Sequence, residues 1–136
     1  MILNSWVCVP NMPPLQAAAK ATRPPGIPLP RAGLERWSQA DFLQSVVEQG
    51  GFQKDQITIY KGDVYITTSE LDHYANMPWS FTGGTTFVGW LKSDEENWDE
   101  AIETVKQELM KMDGYTQLPG GKDQLKSLAN IAIASK

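Results

Sequence analysis

One histidine, one cysteine and a band of aromatic residues are the groups in this chain whose chemistry could be used. His73 carries an imidazole, which titrates near ~6.5 when unperturbed and so suits proton transfer at neutral pH. It is the candidate general base, but Asp72 beside it would point elsewhere on a helix, and a helical surface histidine is the plainer reading. Cys8 as a nucleophile would need a neighbouring base and an electropositive setting. Neither is visible, so Cys8 reads as a buried thiol, and one histidine and one cysteine far apart make no metal site. The remaining stretch is "WSFTGGTTFVGW", residues 79–90, in which Trp79, Phe81, Phe87 and Trp90 surround flexible glycines. Such a stretch suits a lid over an apolar ligand or an inter-helix loop anchored in the core by its aromatics. Both readings stay open.

The elements that must position these groups follow from local patterns. "MILNSWVCVP" opens the chain as a strand over 1–10. Residues 11–37 form a proline-rich strap, with a short alanine-rich helix from Leu15 to Thr22 and an extended run from Pro24 to Pro30, where proline fixes φ. Leu15, Ile27 and Leu29 anchor this strap across the surface or over a pocket. Ser38 followed by Asp41, then Phe42, Leu43, Val46 and Val47, predicts a helix over 38–49 that stops at Gly50 and Gly51. "QITIYKGDVYITT" is β-branched and aromatic, either one strand with a bulge at Gly62 or a hairpin turning there. Ser69 and Asp72 start a helix that Pro78 limits. Ser93 with Glu96 caps the longest helix, striped by Trp98, Ala101, Ile102, Val105, Leu109 and Met112 and ending at Gly114. The acidic run from Asp94 to Glu103 sits in its first turns, where the helix dipole favours negative charge. "YTQLPGGKDQ" reads as a loop, and "SLANIAIASK" as a strand buried on both faces.

With 136 residues, 41% of them hydrophobic and 21% charged, the chain fits one domain with a normal core. No apolar run approaches the ~18 residues needed to span a bilayer, so no membrane role is expected. The net charge of -4 and the lack of a basic stripe argue against nucleic acid. A lone cysteine and the absence of a basic leader region point to the cytoplasm.

Taken in order, these pieces resemble the C-terminal half of class I S-adenosylmethionine-dependent methyltransferases, closest to the UbiE-like fungal enzymes of small molecules. "LNSW", "WSQADFLQSVVEQGGF" and "LANIAIASK" carry the likeness, which covers nearly the whole chain. It implies an α/β fold, the C-terminal part of a Rossmann-like sheet. Three to four strands and four to five helices are expected, with the last strand inserted antiparallel between its neighbours. The opening strand would then be the fifth of seven, with half of an enzyme missing. The resemblance also implies S-adenosyl-L-methionine as cofactor and a small apolar natural product of secondary metabolism as acceptor, lined by Trp6, Trp79, Phe81, Phe87 and Trp90. The family's glycine-rich cofactor loop is absent: the glycine pairs at 50–51, 83–84 and 120–121 are not G-x-G. The cofactor is therefore not expected to bind this chain alone, and the open sheet edge expects an N-terminal-half partner chain, a second copy or the opening strap folded back. The alternative is a cofactor-free pseudo-methyltransferase acting as a small-molecule binding protein or cyclase.

Overall fold

A computed structural model describes residues 1–30, 32, 35–81 and 89–135. The chain runs β1 (Ile2–Cys8), α1 (Met12–Thr22), α2 (Ala40–Gln49), β2 (Ile57–Thr68), α3 (Leu71–Ser80), α4 (Lys92–Glu96), α5 (Trp98–Met110), β3 (Tyr115–Leu118) and β4 (Lys122–Ala134). This is an α/β chain. Its sheet has the order β1-β4-β2, with β3 paired to β4. β4 runs antiparallel to β1, placing Ile133 opposite Ile2 and Asn130 opposite Ser5, and the register slips between Trp6 and Cys8. Contacts of Ser135 with Gln56 and of Lys126 with Asp63 advance in opposite chain directions, so β4 is antiparallel to β2 as well. The last strand thus lies between the first and the second.

Two compact units divide these elements. In the unit formed by 1–9, 33–65 and 126–136, Leu43 and Val47 lie four apart on one face of α2. They pack on Ala132 and Ala134, with Leu3, Phe52, Ile57 and Ile59 around them. In the unit formed by 10–32 and 66–125, Leu15, Ala18 and Ala19 of α1 pack with Ala101, Ile102, Val105 and Leu109 of α5 and Tyr74, Ala75 and Trp79 of α3. The small alanine side chains let the α1 backbone come close to its neighbours, and the stripe at spacings of three and four makes α1 a core element.

Several expectations change here. In the strap over 11–37 the helix expected at Leu15–Thr22 is present but begins three residues earlier, at Met12, because Pro13 and Pro14 fall in the first turn, where no intrahelical N–H is needed. Pro78 does not stop α3, which continues to Ser80; a proline this near the end removes only one closing hydrogen bond. The helix expected from Ser93 to Gly114 is two, α4 and α5, separated at Asn97, whose φ of -111° and ψ of 28° are not helical. Residues 57–68 are one strand and not a hairpin. The expected loop at 115–124 is instead the β3–β4 hairpin, turned by Gly120 and Gly121 at φ of +82° and +74°, which side chains rarely adopt. Nor is the last strand buried on both faces. In the first unit α2 covers Ala132 and Ala134, while Ile133 on the other face is 46% exposed.

Candidate functional site

In the second unit the chain leaving α1 carries a charge into the interior. Thr22 ends the helix with its hydroxyl donating to Ala18 O at 2.9 Å, and the next side chain, Arg23, is only 2% exposed. Its Nε and Nη2 donate to Oδ1 and Oδ2 of Asp94, each at 2.7 Å. Asp94 is fully buried, so neither charge is tolerable without the other, and the two-pronged geometry is the strong form of such a pair. Asp94 also caps α4, since its Oδ2 accepts the Leu91 N–H at 2.9 Å. Asn97 closes the same corner: its Nδ2 donates to Thr22 O at 3.2 Å and Ser93 O at 3.0 Å. That competition for backbone carbonyls explains the break between α4 and α5.

One tryptophan touches this ion pair, and two more follow nearby in sequence. Trp79 is completely buried, with Nε1 donating to Asp94 O at 3.4 Å. Trp90, 37% exposed, donates Nε1 to Glu95 Oε1 at 3.1 Å, and its ring lies 5.9 Å from that of Trp98. Trp98 in turn donates to Asn76 Oδ1 at 2.8 Å. It also walls an open groove of about 340 Å³ that includes Asp72, Asn76, Ile102 and Lys106. Lys106 Nζ bridges Asp72 Oδ1 at 3.0 Å and Glu103 Oε2 at 2.9 Å.

Hydrogen bonds from Lys106, then Gln107, hold the Glu103 carboxyl below its usual range, and the bonds to Glu103 and Asp72 raise Lys106. A depressed carboxyl contributes stability above its unfolded pKa and loses it as pH falls through the folded value; the raised lysine contributes below its unfolded pKa and loses it as pH rises. Thermal unfolding midpoints followed between about pH 5 and pH 3 should therefore fall less steeply in Glu103→Gln than in the parent chain. Equal slopes would mean that the contact is lost in solution.

The residues singled out from sequence are not all equivalent in this setting. Trp79 is a core anchor, Trp90 and Phe81 present surface, the latter 69% exposed, and Phe87 lies outside the described residues. Trp6 belongs to the other unit, exposed on β1. Cys8, read as buried, is exposed because it falls with Ile2, Asn4 and Trp6 on the outward alternate positions of β1. His73 is exposed on α3, and the carboxylate of neighbouring Asp72 is taken up by Lys106 and Asn76. Among the described residues no cluster of His, Cys, Asp and Glu could hold a metal ion, and no helix is long and apolar enough to cross a membrane.

Arg23, Asp94 and Asn97 were missed by reading the sequence. Arg23 stands four residues after Ala19 and so continues the buried stripe of α1, which was the available signal. Asp94 had none, being one acidic residue among six in its segment. No protein-family model matches the chain, and no curated protein matches it in sequence. The class that can be stated is thus that of the fold: an α/β chain whose last strand is central in its sheet.

Proposed function

We propose that this chain is the C-terminal, acceptor-side portion of a cytoplasmic class I S-adenosylmethionine-dependent methyltransferase acting on a small apolar natural product. The observation that carries the reading is the place of β4, antiparallel between β1 and β2, which is the arrangement expected of the closing strands of that fold. The free edge of β1 agrees with it: among the described strands only β4 pairs with β1, and Ile2–Val9 carries no charged side chain to discourage a further strand.

The first strand-to-helix turn of this chain does not fit the cofactor. The turn after β1, Val9 to Asn11, has no glycine, and the first turn of α1 has two prolines, which lack the N–H groups that a helix N-terminus offers to an anion. On this reading cofactor binding falls to another portion, and the contribution of this chain is to position the acceptor and exclude water around it.

Sequencing full-length transcripts that cover residues 1–136 tests this. The reading requires coding sequence for a strand, a glycine-rich loop and an acidic strand end, either in frame or in a protein that co-purifies with this chain. Calorimetry on the 136-residue chain alone is expected to show no binding of S-adenosylmethionine. Tight binding by that chain would overturn the assignment.

A further inference from the structure

We propose that, in the first unit, the face of the sheet opposite α2 is the contact surface of a homodimer in which two copies of this chain pack sheet against sheet. Alternation along the strands fixes which residues lie there. Leu3, Ile57, Ile59, Ala132 and Ala134 pack in the cluster with α2, so their neighbours in sequence point away from it. Ile2 stands opposite Ile133 across the β1–β4 pair. A Cβ built at Gly62 would lie 3.1 Å from Ile131 Cδ1, which puts Gly62, and with it Tyr60 two residues earlier, on the face of Ile131 and Ile133. Ile2 is 74% exposed, Tyr60 52%, Ile133 46% and Trp6 39%. The outward face of an antiparallel sheet normally carries polar residues. Here it carries isoleucine, tryptophan and tyrosine.

Charge and area select a second copy as the occupant. Residues 1–10 and 127–135 hold no charged side chain, while the chain as a whole has a net charge of -4. Two copies repel at long range, and this face lets them meet without setting like charges against each other. A bilayer surface recruits through lysine and arginine, and a partner steered by opposite charge needs a charge to read; the face offers neither. With Asn4 and Thr58 between its apolar side chains it exposes on the order of 600 Å², taking roughly 150–250 Å² for a large side chain. That is at the upper end of what a monomer leaves open and approaches the ~800 Å² per partner of a stable interface. Trp6 and Tyr60 are of the types that carry most binding energy where proteins meet. Two such sheets stacked ~10 Å apart cover the second face of β4, whose apolar run suits a strand buried on both sides.

The dimer goes beyond the methyltransferase reading and does not depend on it, since a further strand would join the edge of β1 and not its face. Sedimentation equilibrium of the 136-residue chain at about 100 μM, where even a micromolar interface is nearly filled, should give twice the monomer mass of 15.1 kDa. Ile133→Lys sits on the central strand, so it puts a charge into the face and leaves the β1 edge as it is. It should raise the dissociation constant by about a hundredfold or more, the effect of burying an unpaired charge, with an unchanged far-ultraviolet circular dichroism spectrum. Tyr60→Lys should do the same from β2, and it decides the matter if Ile133→Lys does not fold. Gln49→Lys, at the exposed end of α2, changes the net charge equally and should keep the dimer. A monomeric parent chain, a dimer whose affinity survives the face substitutions, loss of the dimer in Gln49→Lys, or capture of the parent chain by phosphatidylcholine vesicles in place of self-association would each overturn the proposal. The transcript and calorimetry results leave the sedimenting mass as it is, so the two readings fail separately.

Discussion

Asp94→Ala will destabilise the second unit by about 3–5 kcal/mol, the range seen when one partner of a buried ion pair is removed. The reason is less the loss of attraction than what remains. Arg23 has a side chain only 2% exposed, and among the described residues no other carboxylate pairs with it, so its charge would stay desolvated and uncompensated. The same substitution strips the acceptor of the Leu91 N–H, a cap of the kind that contributes on the order of 1 kcal/mol. Since a whole domain is stable by only ~5–15 kcal/mol, urea unfolding followed by tryptophan fluorescence should show a large fall in midpoint. The double variant Arg23→Met/Asp94→Leu distinguishes the cause: an apolar pair of similar size should lose less than Asp94→Ala alone, because no orphan charge is left. By contrast, breaking the exposed Lys92–Glu96 pair should change stability by no more than ~0.5 kcal/mol. A loss below ~1 kcal/mol for Asp94→Ala would mean that water reaches the pair.

Trp79→Ala should cost a comparable amount, about 3–5 kcal/mol, for a different reason. Its indole is the largest fully buried side chain among the described residues, in a cluster with α1, α3 and α5, and alanine would leave a cavity that neighbouring helices can fill only in part. The long 3.4 Å bond from Nε1 to Asp94 O adds little. Trp79→Phe, which keeps much of the volume, is therefore expected to recover most of the loss. Phe81→Ala, two residues on but 69% exposed, should stay within ~0.5 kcal/mol of the parent chain. Chemical denaturation of the three variants checks this, and similar losses at 79 and 81 would contradict the burial assigned to them. Because Trp79 touches Asp94, the effects of Trp79→Ala and Asp94→Ala should fall short of additive.

The two aromatic residues looked alike in "WSFTGGTTFVGW", where lid and core anchor were equally open readings. Neither spacing nor residue type separated them, since burial of one indole depends on helices supplied by residues 12–22 and 98–110. The same limit applied to Ser93: its type suggested a helix cap, but Asp94 takes that place because the carboxylate is already drawn inward by Arg23. The helix stripes were legible where they rest on spacings of three and four within one segment, as in α2 and α5. The glycine pair at 120–121 was visible as a turn, but the strands on either side of it were not, because Tyr115–Leu118 is too short to show a pattern of its own.

Residues 40–49, 71–80 and 98–110 thus carry their own structure in their periodicity, and 57–68 its β character though not the choice between strand and hairpin, because contacts one turn apart along a helix, or alternation along a strand, are settled by neighbours in the chain. Composition likewise placed the molecule among chains with an ordinary core and no apolar span. Tertiary structure alone decided that Arg23 meets Asp94 across 71 positions and that Cys8 and Ile133 face outward. It also put the helix expected at Leu15–Thr22 into the core and not across the surface. Each of these turns on which side chain loses its water, and desolvation is a property of packed surfaces from distant segments that no local pattern contains.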